Sequence, residues 1–232
     1  MAAYPNQTQT IYDATQDLTR VTEVLCSRIC HDLISPMGAV KNALELMSDN
    51  NMDPEVVGLL QQSSIQALDR LSIYRMAFGL KGASMSAGSD RFVEVLAGFS
   101  RTLKLQGDLD PKVLNQIFPE HQRPQACELW VYLILVISEI VPFGATIKTQ
   151  VVDQTLEVQA NGRLFTLKGD YAQALKDGVQ AQDVTPQNIF IYYLWNSLER
   201  IGFEMTLHHD GVDCVKINLR SLVSLAQSDS LF

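Results

Sequence analysis

His31 is the side chain in this sequence best suited to accept and release a transferable group near neutral pH, because an imidazole changes protonation state close to that pH. Asp32 follows it directly and can orient the ring or tune its basicity; a solvated helix acid would need no such role. Pro36 falls within the same stretch, Cys26-Ser-Arg-Ile-Cys-His-Asp-Leu-Ile-Ser-Pro-Met37, where it removes a backbone donor and leaves the Asp32 carbonyl without its amide partner. A local rule broken beside a reactive side chain marks a functional position. Ser35 and Pro36 are expected to bend the helix and expose His31, the alternative being a kink tolerated without function.

Cys26 and Cys30 stand four residues apart on that helix and invite a metal reading, but no second Cys/His pair completes a zinc set. With Cys127 and Cys214 they are read as free thiols of a reducing compartment, behaving as small buried hydrophobes. His121, His208 and His209 have no partner residues that mark them as catalytic.

The elements that position His31 follow from hydrophobic spacing. Apolar residues recur at Leu18, Val21, Leu25, Ile29, Leu33, Met37, Val40, Leu44 and Met47, so one long helix is predicted from about Ile11 to Met47. Ser48–Pro54 turns the chain, with Asp53 as N-cap and Pro54 opening a second helix. That helix carries Val57, Leu60, Ser64, Ala67, Leu68, Leu71, Arg75 and Phe78 at helical spacing, and Gly79–Ser89 reads as a linker and domain boundary. Two long helices share a broad apolar face that neither can cover, and a second copy about a two-fold axis would complete a four-helix bundle. His31 lies off the seam of Leu25, Ile29 and Leu33, so its ring is expected to face solvent.

Residues from about 90 onward change character and read as α+β. Helical patterns cover Arg91–Leu103, Pro124–Ile140, Asp170–Asp177 and Thr185–Ile201; strand patterns cover Ala145–Val152, Thr155–Gln159, Arg163–Lys168, Phe203–His209 and Val212–Leu219. Asn161-Gly162 and Asp210-Gly211 are the expected type I′ hairpin turns. Domains are therefore expected at 1–85 and 90–232.

Composition narrows the function. Of 232 residues 47% are hydrophobic, enough for a sizeable core, and the net charge of −8 without any Lys/Arg run argues against nucleic acid as a partner. The longest apolar run, Leu129 to Ile137, is about half of what a membrane span needs. The polar start Met-Ala-Ala-Tyr-Pro-Asn-Gln-Thr has no signal-peptide character, so a cytoplasmic protein without membrane attachment is expected.

The order of these features resembles the transmitter of a two-component histidine kinase over nearly the whole chain. His31-Asp32-Leu33-Ile34-Ser35-Pro36 resembles the family's H-box, in a hairpin followed by an α/β sandwich. The family's ATP boxes do not follow. Tyr132-Leu-Ile-Leu-Val136 stands where two Mg²⁺-binding asparagines belong, and Ala160-Asn161-Gly162-Arg163-Leu164 stands where the adenine-reading Asp-x-Gly-x-Gly box belongs. The segment Thr185 to Trp195, at the place of the phosphate-cradling lid, contains no glycine. A triphosphate without metal ligand, lid or basic replacement is poorly held, so no use of ATP is expected.

A kinase-like dimer that keeps the histidine and lacks the nucleotide site resembles the ChpT-type histidine phosphotransferases of alphaproteobacteria. The resemblance implies a histidine-kinase-like dimer with a degenerate ATPase-like domain. It further implies that His31 takes a phosphoryl group from the receiver aspartate of a hybrid histidine kinase and passes it to receivers of response regulators in cell-cycle and developmental relays. The protein would need no cofactor of its own, Mg²⁺ coming with the receiver. The same resemblance places receiver docking on the hairpin below His31, at Met37, Gly38, Val40, Lys41, Leu44, Tyr74 and Arg75, each of which could equally serve the bundle core. Arg28 would contact phosphate or a receiver acid, or else lie over the bundle. The rival readings are a divergent ATP-using kinase, a non-catalytic dimeric scaffold for receivers, and a monomeric phosphotransfer domain.

Overall fold

The computed structural model describes residues 7–47, 53–79, 89–164, 167 and 169–222. Helix α1 runs Gln7–Met47 and α2 Pro54–Phe78, packed as a hairpin. Asp53 caps α2 as its sequence demands, its side chain accepting the Glu55 amide at 2.9 Å, with Pro54 at the first helical position. Pro36 sits inside α1 with its ring buried, and the helix continues through it. The turn at 48–52 and the linker at 80–88 lie outside the described residues, as does the start of the chain.

The second half comprises α3 (Asp90–Thr102), β1 (Leu105–Gly107), α4 (Arg123–Ile140), β2 (Ala145–Val152), β3 (Thr155–Asn161), α5 (Gly169–Asp177), α6 (Ile189–Ile201), β4 (Phe203–His209) and β5 (Cys214–Ser221). The five strands lie in the order β1-β2-β3-β5-β4, antiparallel except for the β1–β2 pair. One face of the sheet, Ile147, Leu156, Val158, Val215, Ile217 and Leu219, is buried against helices, and its opposite face carries Lys148, Gln150, Glu157 and Lys216. Helix α4 is buried on nearly every side from Ala126 to Ile137, with α6, α2 and the short turns Pro111–Gln116 and Glu120–Gln122 packed against it.

Local expectations need five corrections, the first being that α6 begins at Ile189 rather than Thr185. The tight turn of the β2–β3 hairpin is Asp153-Gln154, both at positive φ (48° and 59°), whereas Asn161-Gly162 ends β3. Residues 163 and 164 form no strand: the amides of Gly162 and Leu164 bond to the carbonyls of Asp213 and Val212 in the β4–β5 loop, while Phe165, Thr166 and Lys168 lie outside the described residues. That loop is longer than a two-residue turn, Asp210 Oδ1 accepting the amides of Val212, Asp213 and Cys214 at 2.9, 3.0 and 3.0 Å. Finally, Cys26 and Cys30 are exposed on α1, and only Cys127 among the four thiols is fully buried.

Among the described residues no helix is long and apolar enough to cross a membrane. No cluster of three or more metal-ligating side chains occurs among them either.

Candidate functional site

One residue along an α-helix turns the side chain by about 100°, and this separates His31 from Asp32. His31 points outward with 85% of its side chain exposed, while Asp32 points into the molecule at 9%. The histidine Nδ1 lies 3.4 Å from Asp32 Oδ1. With the proton on Nδ1 and shared with that oxygen, the Nε2 lone pair is left facing solvent.

The other carboxylate oxygen of Asp32 is held from two sides. Tyr74 of α2 donates its hydroxyl to Oδ2, and Arg28, one turn before on α1, donates Nε to the same atom at 2.8 Å. Arg28 reaches further, placing its other guanidinium nitrogen 2.5 Å from Glu139 Oε1 at the end of α4 and 2.7 Å from the Pro186 carbonyl. Its guanidinium also stacks 4.7 Å over the Phe190 ring of α6. Tyr171 of α5 donates to the second oxygen of Glu139 at 2.8 Å. A continuous polar chain thus runs from α5 through α4 to the helix that carries the exposed imidazole.

The electrostatics follow from this packing. Burial alone would push the Asp32 carboxyl up, but hydrogen bonds from Tyr74 and Arg28 outweigh it and hold Asp32 ionised below its ordinary range. Burial works against the Arg28 charge too, and Glu139 and Asp32 overcome it. Burial, then Asp32, push the Tyr74 hydroxyl up, so it stays protonated and donating.

Of the residues singled out in the sequence, His31, Asp32, Arg28 and Tyr74 come together here. Tyr74 is 4% exposed, so it serves the site from within and presents no docking surface. Arg28 neither reaches out to solvent nor lies free over the bundle, since its guanidinium is held by carboxylates of both halves. Pro36 is buried beneath the hairpin, whereas Ser35, Met37, Gly38, Lys41, Leu44 and Arg75 are exposed and Val40 is half-buried. Lys41 pairs loosely with Glu45 at 3.6 Å. Glu139 and Tyr171 were missed by sequence reasoning. The signal for Glu139 was present: an acid closing the apolar run of α4 is buried with that run and needs a cation to face it.

Known proteins match the chain in family and in fold. A family model described as the histidine phosphotransferase C-terminal domain matches residues 98–213, half of the chain and the part that supplies Glu139 and Tyr171. The protein phosphotransferase ChpT of Brucella abortus (strain 2308) is 24% identical over 197 residues, covering 83% of this chain and 91% of that one. A bacterial phosphotransferase solved at 1.7 Å shares the fold, with a TM-score of 0.65 at 22% identity over 86% of this chain and 95% of that one. Together with an exposed imidazole on a hairpin helix, the matched C-terminal domain places this chain in the ChpT-like histidine phosphotransferase family, whose activity is phosphoryl transfer.

Proposed function

We propose that His31 is the phosphoryl acceptor and donor of a relay between receiver domains, taking the group from the receiver aspartate of a hybrid histidine kinase and delivering it to receivers of response regulators. The observation that carries this reading is the exposed His31 ring beside a buried, doubly clamped Asp32. In the forward step Nε2 attacks the phosphorus of the aspartyl phosphate; the N–P bond forms, the P–O bond to the aspartate breaks, and the carboxylate leaves. The imidazolium charge that results is shared with Asp32 through Nδ1–H. The second step reverses this chemistry at another receiver, with Mg²⁺ brought by the receiver in both.

The hairpin, residues 1–85, would present His31, with Ser35, Met37, Gly38, Val40, Lys41, Leu44 and Arg75 around the docking face, and residues 90–232 would form the second domain. Ile34, Met37, Leu44, Ile65, Leu68 and Leu71 leave apolar surface on both hairpin helices, all at least half exposed, which supports a homodimer in which some of these residues face the partner copy rather than the receiver. The cytoplasm, where receivers reside, is the proposed compartment.

The test is phosphotransfer with the full chain. It is incubated with a prephosphorylated receiver of a hybrid kinase, and separately with ATP and Mg²⁺, and His31 is assayed for acid-labile phosphate. Label from the receiver alone supports the relay, and His31→Ala must abolish it. Label from ATP alone makes the protein a kinase, and label from neither leaves only a scaffold.

A further inference from the structure

His31 is too exposed to be held by its own packing, so whatever fixes its ring must act through Asp32, and Asp32 is fixed in turn by Tyr74 and by Arg28, of which Arg28 is itself anchored outside the hairpin. Arg28 has one face of its guanidinium committed to Asp32 Oδ2 at 2.8 Å and another to Glu139 at 2.5 Å. Glu139 is itself oriented by the Tyr171 hydroxyl at 2.8 Å. Two of these four groups come from α4 and α5, and neither touches His31. With both Tyr74 and Arg28 bonded to Oδ2, Oδ1 is the carboxylate oxygen left to face Nδ1 of His31.

We propose that Arg28, held by Glu139 and Tyr171, is a positioning residue for phosphoryl transfer. It locks the Asp32 carboxylate in the rotation that fixes the His31 proton on Nδ1 and turns Nε2 outward. The second half of the chain thereby sets the tautomer of the imidazole in the first. The proposal rests on His31 being the acceptor but reaches beyond it, to the groups that orient the ring. The site requires one planar cation that faces two carboxylates from different nitrogens, and Arg supplies it where Lys offers a single charged point.

The experiment compares the ¹⁵N ring signals of His31, assigned by their loss in His31→Ala, with the rate of transfer from a prephosphorylated receiver. Both are measured in the wild-type chain and in Arg28→Gln, Arg28→Lys, Glu139→Gln and Tyr171→Phe. Thermal melts identify any variant that fails to fold. The wild type should show the Nδ1–H tautomer. Arg28→Gln should move His31 toward the Nε2–H form preferred by a free histidine side chain and slow transfer about tenfold or more. Glu139→Gln and Tyr171→Phe, which preserve size, should move both readouts the same way by less, and Arg28→Lys should recover only part of either. If Arg28→Gln does not fold, these near-isosteric variants carry the test alone. A folded variant with an unchanged ring signature overturns the proposal, even if its rate has fallen, because the role is then structural. Absence of phosphate on wild-type His31 would instead overturn the relay reading, and the ring signals would still decide the positioning.

Discussion

Two donors on one oxygen give Asp32 a folded-state pKa below its ordinary value of 3.8, despite the burial that opposes ionisation. An acid depressed in this way stabilises the fold at pH values above its unfolded pKa, and the contribution disappears as pH falls through the folded one. Burial pushes Glu139 the opposite way and the Asp32 charge adds to it, so the difference between wild type and Asp32→Asn reports Asp32 together with its coupling to Glu139. Thermal melts between roughly pH 6 and pH 2 should show wild type losing stability more steeply at the acid end, and the two curves converging there. Tyr74→Phe keeps the ring and removes one charge-assisted bond, and should cost about 2 kcal/mol in urea unfolding. The sequence made His31 and Asp32 legible because their chemistry is local. It hid the role of Tyr74, singled out only as a docking residue, because the contact spans 42 positions and the stripe through Leu71, Arg75 and Phe78 gave no sign that Tyr74 points at an acid on the other helix.

At the level of elements, the long helices were readable because apolar steps of three and four, and for α2 an Asp53 cap followed by Pro54, are written in nearby residues. Turns were less so. Asp153-Gln154 adopts the left-handed pair that Asn-Gly normally marks, since register between β2 and β3 is set by their matched apolar faces, Ile147 against Ala160 and Val151 against Leu156. Helix α6 begins at Ile189 rather than Thr185 because the Asn188 side chain takes the Thr185 amide at 2.7 Å and makes a turn there. The hairpin's uncovered leucines carry a prediction of their own: Leu44→Glu with Leu68→Glu should convert a dimer into a monomer at micromolar concentration by sedimentation. A tenfold or greater weakening corresponds to at least about 1.4 kcal/mol. A wild-type chain that sediments as a monomer removes the dimer from the scheme.

Across the molecule, one hydrophobic core runs through both halves: Val21, Ile73, Tyr74 and Ala77 of the hairpin belong to the same buried cluster as Trp130, Phe190 and Ile217. Phe78 stands at the junction, with ring centroids of Tyr193, Tyr132 and Phe190 at 4.9, 5.7 and 6.1 Å. Arg20 adds a hydrogen bond to the Val184 carbonyl at 3.4 Å. Calorimetry of the wild type should therefore give a single transition. Phe78→Ala, at a cost of about 3 kcal/mol, should lower it and split it in two. A single lowered transition would mean that the polar chain through Arg28 suffices to couple the halves. None of this junction was legible beforehand, because it depends on which faces of α2, α4 and α6 meet, and each of those faces reads only as apolar in its own segment.

The separation of partners along the chain has a consequence for synthesis. Arg28 meets the Pro186 carbonyl 158 residues away and the acid at position 139, so His31 leaves the ribosome well before either partner. A nascent or truncated chain can therefore display its imidazole long before the groups that orient it exist. The arrangement around Arg28 can be completed only after α4 and the segment before α6 have been made, so a copy that stops short of them carries the histidine without the contacts that surround it here.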